Sequence, residues 1–92
     1  MDKCALITGA TRGIGKQIAI TLAKQGYNIA LNYRKENEEL ENTKKEIEKI
    51  GVQILAVKGD VANFEDCENF VKQVIERFGQ IYVLVNNAGI TK

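Results

Sequence analysis

Three glycines at positions 9, 13 and 15 form the stretch of this 92-residue sequence that points most clearly to a chemical role. They lie in Thr8-Gly9-Ala10-Thr11-Arg12-Gly13-Ile14-Gly15, after a short apolar run and before a segment with helical spacing. At the N-terminus of a helix the first amide groups have no partner within the helix, and the dipole favours negative charge. Glycine also lets the backbone approach a ligand closely. The pattern therefore predicts a site for nucleotide phosphate.

The glycine spacing excludes one common phosphate-binding loop. A mononucleotide P-loop requires a glycine five residues before its Gly-Lys pair and a hydroxyl residue after it. Around Gly15-Lys16 these positions hold Ala10 and Gln17, so both requirements fail. The common dinucleotide fingerprint G-x-G-x-x-G is not matched either, because the order here is G-x-x-x-G-x-G.

Two cations follow the second predicted strand, at the point that normally meets the adenosine ribose of a dinucleotide. An acid there accepts hydrogen bonds from the 2′-hydroxyl, but this sequence has Tyr33-Arg34-Lys35 and no acid before Glu36. Together with Arg12, these cations suit a 2′-phosphate, which arginine engages with its planar fork. The alternative is that Arg34 and Lys35 are ordinary surface charges of a loop.

Two further polar segments follow predicted strands. In Gly59-Asp60-Val61, the aspartate either accepts a hydrogen bond from an adenine amino group or caps a turn. A phosphoacceptor role is disfavoured, because that site needs carboxylates after the first strand, where Thr8-Gly9 stand. Asn86-Asn87-Ala88-Gly89 ends the fourth strand and would face residues 9–15 across the crevice of a parallel sheet.

The strands and helices that must position these residues repeat as a strand–helix unit. The unit occurs three times and is followed by a fourth strand. Each predicted helix ends at a glycine suited to the left-handed C′ conformation, and Asn37 and Asn63 are candidate N-caps. Short strands alternating with such helices predict an α/β fold with a doubly wound parallel sheet, in one domain over residues 1–92. Strands are predicted at 3–8, 28–33, 53–57 and 81–85, helices at 13–25, 38–50 and 64–78, and C′ glycines at Gly26, Gly51 and Gly79.

The faces of the second and third helices differ. The second is predicted to be a solvated outer helix, because few apolar residues lie among its many glutamates and lysines. The third has an apolar stripe that needs substantial cover. That stripe consists of Phe64, Cys67, Val71, Val74, Ile75 and Phe78.

The composition excludes several classes of protein. The chain is 45% hydrophobic with a formal net charge of +1, which gives no electrostatic reason to expect nucleic acid or an anionic membrane as partner. No apolar run reaches the length of a membrane helix. Cys4 and Cys67 lack metal-ligand spacing and there is no histidine, so we expect no metal site, two buried thiols and a cytoplasmic location.

The glycine stretch, Asp60-Val61 and Asn86-Asn87-Ala88-Gly89 together resemble the classical short-chain dehydrogenases/reductases. The resemblance implies a Rossmann-type sheet in the order 3-2-1-4 and NADPH as cofactor. Within the family it points to the branch that reduces 3-oxoacyl thioesters carried on acyl-carrier protein in fatty acid synthesis. The implied cofactor-binding residues are Gly9, Gly13, Ile14 and Gly15 at the pyrophosphate, Arg12 and Arg34 at the 2′-phosphate, Asp60 and Val61 at adenine, and Asn86, Ala88 and Gly89 at the ribose. Thr8 would tie the glycine loop to the sheet.

One part of the family's pattern is missing from the chain. Its members use an Asn-Ser-Tyr-Lys set, in which the lysine follows the tyrosine by four residues. Here Leu31, Asn37 and Asn86 stand four residues after Tyr27, Tyr33 and Tyr82. We therefore expect the catalytic residues beyond Lys92, an inactive and self-associating 92-residue chain, and a homotetrameric full-length reductase. The alternatives are a non-catalytic dinucleotide-binding module, an isolated half-domain, and a sibling NADP-dependent carbonyl or alcohol reductase.

Overall fold

The computed structural model describes residues 3–9, 13–36, 38–60 and 62–86 and arranges them as four parallel strands and three α-helices. The strands pair in the order β3-β2-β1-β4, which confirms the predicted α/β class and topology. In chain order the elements are β1 Cys4–Ile7, α1 Gly13–Lys24, β2 Asn28–Tyr33, α2 Glu38–Ile50, β3 Ile54–Lys58, α3 Phe64–Phe78 and β4 Val83–Val85.

The glycines and one asparagine act as predicted at the helix ends. Gly26, Gly51 and Gly79 have φ values of 99°, 109° and 88°. Asn63 caps α3, since its side-chain oxygen accepts a hydrogen bond from the Asp66 amide at 3.0 Å. The candidate cap Asn37 lies outside the described residues. All three helices therefore end, and α3 also begins, where local capping chemistry places them.

The strand bounds differ slightly from the prediction, most at β4, which begins at Val83 rather than at residue 81. The Tyr82 amide nevertheless donates to the Cys4 carbonyl at 2.8 Å, so the chain already runs along β1 before regular pairing starts.

The sheet separates two apolar cores, because alternate side chains of a strand point to opposite faces. On one face, Ala5 and Ile7 of β1 belong to a core that α1 and α2 cover. On the other face, Cys4 and Leu6 belong to a core that includes Phe70 of α3. Helices thus cover both faces, as the doubly wound interpretation requires.

The apolar face of α3 was only partly predicted. Phe70 and Val74 are buried, whereas Phe64, a member of the predicted stripe, is 75% exposed and lacks the cover that the stripe needs. Helical spacing identifies a stripe but not the direction in which the sheet lies, and here the buried face is rotated towards Phe70. The prediction of two buried thiols is also wrong for Cys67, which is only half-buried, while Cys4 is fully buried.

Helix α2 matches the prediction of a solvated outer helix on all but one side. Leu40, Thr43 and Ile47 are buried. The carboxylate of Glu46 in α2 forms an ion pair with the ammonium group of Lys16 in α1 at 2.9 Å. This contact joins the two helices that lie on the same face of the sheet.

Candidate functional site

The predicted site residues that the structure describes gather at one edge of the sheet. Because all described strands are parallel, their carboxyl ends lie side by side. Arg12, Val61, Ala88 and Gly89 lie outside the described residues, and their roles stay predictions. The residues brought to this edge are Thr8 and Gly9 after β1, Arg34 after β2, Gly59 and Asp60 after β3, and Asn86 after β4.

The turn after β1 has the backbone that its glycines predict. Gly9 and Gly13 adopt φ values of 66° and 64°, in the left-handed region where a β-carbon would be strained. Gly15 lies buried in the first turn of α1. The described ends of this turn therefore place one left-handed glycine shortly after β1 and another at the start of α1.

The N-terminus of α1 differs from those of the other two helices in its charge. The first turn of α2 holds three acids and that of α3 holds two, whereas the first turn of α1 holds none. Its positive dipole end is therefore not compensated by a carboxylate of its own first turn, which suits an external anion. Ile14 beside it is 70% exposed.

Lys16 is oriented away from a P-loop role. Its ammonium group pairs with Glu46 on α2 at 2.9 Å. In a P-loop, the corresponding lysine reaches the terminal phosphates instead. The glycine spacing excluded a mononucleotide P-loop, and the position of the Lys16 side chain agrees with that exclusion.

Thr8 links the glycine turn to the neighbouring strand β4. Its amide donates to the Val85 carbonyl at 3.1 Å, and its hydroxyl donates to the Asn86 side-chain oxygen at 3.3 Å. The two sides of the crevice between β1 and β4 are therefore joined at their ends.

Asp60 divides its two carboxylate oxygens between different partners. Oδ1 accepts the Ala62 amide at 2.9 Å, which confirms the turn-capping interpretation. Oδ2 lies 3.9 Å from Nη2 of Arg34, whose side chain is 76% exposed. Such an exposed pair contributes little stability, so Arg34 exchanges partners at small cost. The adenine contact of Asp60 stays a prediction.

Sequence reasoning assigned no role to two polar residues at this edge. Asn32 is 4% exposed and bonds both the turn after β1 and the turn after β3. Asp66 of α3 accepts the Asp60 amide at 2.9 Å. Two signals pointed to Asn32: it is a polar residue at the carboxyl end of an apolar strand, and the Asn32-Tyr33 strand end is part of the family resemblance.

Other chemistry is limited in the described parts of the chain. They contain no group of three or more His, Cys, Asp or Glu residues that could hold a metal ion. No helix among them is long and apolar enough to cross a membrane. Desolvation and the charge of Glu36 raise the pKa of Tyr33, whose hydroxyl lies 3.4 Å from the Glu36 carboxylate.

A parallel sheet with a glycine turn entering a helix at the carboxyl edge defines a Rossmann-type dinucleotide-binding fold. The chain belongs to the short-chain dehydrogenase family, whose family model matches residues 3–92.

This chain is similar in sequence to a known reductase and in structure to two enzymes whose structures have been solved. Over 92 residues it is 47% identical to the 3-oxoacyl-[acyl-carrier-protein] reductase FabG of Staphylococcus epidermidis, and it spans 38% of that protein's length. A variant of actinorhodin polyketide ketoreductase crystallised with NADPH superposes with a TM-score of 0.85 and 42% identity, over 94% of this chain and 33% of that one. Carveol dehydrogenase from Mycobacterium avium, in complex with NAD, superposes with a TM-score of 0.86 and 28% identity, over 96% of this chain and 36% of that one.

Proposed function

We propose that this chain is the NADPH-binding part of an oxidoreductase that reduces 3-oxoacyl thioesters on acyl-carrier protein to 3-hydroxyacyl thioesters. The observation that carries the proposal is the N-terminus of α1. It follows the glycine turn at the carboxyl edge and has no acid in its first turn. The identity of 47% to a 3-oxoacyl-[acyl-carrier-protein] reductase supports the substrate class.

The donor set at the carboxyl edge fits a dinucleotide. The turn from Gly9 to Gly15 would line the pyrophosphate, with Ile14 beside it, and would bind it through amide groups other than that of Gly9, which donates to Asn32. Asp60 and Val61 would hold adenine, and Asn86, Ala88 and Gly89 would contact the ribose beside nicotinamide. The bound cofactor would supply the hydride that the reduction requires.

The preference for NADPH over NADH rests on cations near the predicted 2′-phosphate. Arg34 is exposed and only loosely paired with Asp60, so it is available to an incoming phosphate. Arg12 lies in the glycine turn of the sequence. Structural relatives with NADPH and with NAD both exist, which makes this preference a question for measurement.

Reduction of the substrate belongs to the longer protein in this proposal. A tyrosine whose pKa is lowered by a lysine four residues later would protonate the carbonyl oxygen, and the 92 residues contain no such pair. Acyl-carrier protein would deliver the substrate to a homotetramer in the cytoplasm, while the chain alone would bind cofactor without turnover.

A fluorescence titration of the chain with NADPH and NADH tests the proposal. We expect saturable binding, a lower Kd for NADPH, competition by 2′,5′-ADP, and no oxidation of NADPH by acetoacetyl thioesters. A folded chain that binds neither nucleotide would contradict it.

A non-catalytic dinucleotide-binding module is the second candidate. The gene sequence after the codon for Lys92 separates the two. A continuing reading frame with Tyr-x-x-x-Lys supports the reductase, and a native stop codon supports the module.

A further inference from the structure

We infer that Asn32 is a positioning residue that sets the pyrophosphate-binding turn and the adenine-binding segment at a fixed distance from each other; this inference rests on the proposed function. Asn32 lies near the carboxyl end of β2, between β1 and β3 in the sheet. From this position, one side chain reaches both the turn after β1 and the turn after β3.

The side chain of Asn32 uses both of its polar ends. Its Oδ1 accepts the Gly9 amide at 3.0 Å, across 23 positions of sequence. Its Nδ2 donates to the Gly59 carbonyl at 3.2 Å, across 27 positions. Since Asn32 is 4% exposed, solvent competes poorly for these bonds. One rigid amide group thus spans the two loops.

The linkage continues from Gly59 towards α3. The Gly59 amide donates to the Tyr33 carbonyl at 2.8 Å, and the next amide, that of Asp60, donates to the Asp66 carboxylate at 2.9 Å. The Asp66 amide is itself bound to the cap residue Asn63. The segment predicted to hold adenine is therefore fixed on one side to β2 and on the other to α3.

A second buried asparagine of β2, Asn28, also bonds a neighbouring segment but lies far from the candidate site. Asn28 begins β2, is 8% exposed, and accepts the Gln53 amide on its Oδ1 at 3.0 Å. It makes the same kind of bond as Asn32 but lies at the amino edge, away from every predicted site residue. Asn28→Ala is therefore a matched control for Asn32→Ala.

Amide hydrogen exchange measured by NMR without nucleotide tests the link directly. In Asn32→Ala, the Gly9 amide should exchange roughly tenfold faster than in the wild-type chain, as expected for loss of one buried hydrogen bond. In Asn28→Ala, the Gly9 amide should exchange at the wild-type rate once any change in the free energy of global unfolding has been taken into account. An unchanged Gly9 rate in Asn32→Ala would overturn the inference.

Binding measurements test the positioning role. Asn32→Ala should raise the Kd for NADPH and for 2′,5′-ADP about tenfold, a change of about 1.4 kcal/mol. Inorganic pyrophosphate reaches only the glycine turn, so its Kd should rise less. Asn28→Ala, even with a similar loss of stability against urea, should leave the Kd for NADPH within about twofold of the wild-type value.

Equal increases of Kd in the two variants would assign Asn32 a merely structural role and overturn the inference. A wild-type chain that binds no NADPH would instead contradict the proposed function. The exchange rate of the Gly9 amide would then decide by itself whether Asn32 holds the turn.

Discussion

The Thr8 hydroxyl donates a hydrogen bond to the Asn86 side-chain oxygen at 3.3 Å, although 78 positions of sequence separate the two residues. Thr8 directly follows β1 and Asn86 directly follows β4, and these two strands lie next to each other in the sheet. The bond therefore fixes the entrance of the glycine turn to the segment that is predicted to meet the ribose.

Replacing Arg34 with aspartate tests the cofactor preference. Arg34→Asp exchanges a cation for an anion at the predicted 2′-phosphate, so the Kd for NADP should rise at least about tenfold and the Kd for NAD much less. Both are measured by fluorescence or calorimetric titration. Arg77→Asp makes the same charge change at the far end of α3 and should alter both values little. Equal effects of Arg34→Asp on the two nucleotides would refute the preference.

The left-handed backbone at Gly13 predicts a specific cost of substitution. An added β-carbon there meets no atom within 4 Å, so Gly13→Ala should destabilise the fold through backbone strain alone, by about 1–2 kcal/mol. Urea unfolding measures this cost, with the exposed helical substitution Gln17→Ala as a control expected near zero. Unchanged stability in Gly13→Ala would show that the turn adopts another backbone conformation.

Burial of Cys4 predicts a loss of stability at high pH. Burial raises the pKa of its thiol from 9.0 to about 11, so the folded chain holds this proton more tightly than the unfolded chain does. The stabilisation is complete below pH 9.0 and is lost as the pH rises through about 11, at a cost of about 2–3 kcal/mol.

The measurement compares free energies of unfolding of the wild-type chain and Cys4→Ala between pH 7 and about 11. The difference between them should shrink as the pH rises, while Cys67→Ala should keep the wild-type decline. Parallel curves for the wild-type chain and Cys4→Ala would show that the thiolate is not penalised.

Exposed apolar residues beside β4 predict self-association of the 92-residue chain. Leu84 pairs in register with Leu6 and thus faces the side of the sheet that α3 covers, yet it is 64% exposed. Ile75 of α3 is 41% exposed. With β4 at the edge of the described sheet, both a backbone edge and an apolar surface are open to a second chain.

Sedimentation equilibrium checks this association. The wild-type chain should form dimers or larger species at high concentration, and Leu84→Lys should shift it towards monomer. Thr21→Lys, on the exposed side of α1, should change nothing. A wild-type chain that remains monomeric throughout would contradict the prediction.

Local chemistry made the elements of this fold predictable from sequence. Gly26, Gly51 and Gly79 end helices because they accept positive φ values, and Asn63 begins one because its side chain binds a free amide. These signals require no knowledge of tertiary structure.

Contacts between distant segments explain what the sequence did not predict. Phe70 is buried because of the side on which the sheet lies, and helical periodicity does not contain that information. The role of Asn32 depends on Gly9 and Gly59 arriving on both sides of it. The cofactor contacts of Asp60 and Arg34 stay predictions until nucleotide binding is measured.

The strand order also determines the sequence of events during synthesis on the ribosome. β2 emerges soon after β1 and pairs with one side of it, and β3 then pairs with β2, but the partner on the other side of β1 is β4. Until residues 83–85 have left the exit tunnel, β1 has an open edge and the core that contains Ala5 and Ile7 lacks the apolar contacts of Val83 and Val85. Translation pauses before β4 would therefore prolong the period in which the nascent chain is vulnerable to aggregation and is recognised by chaperones.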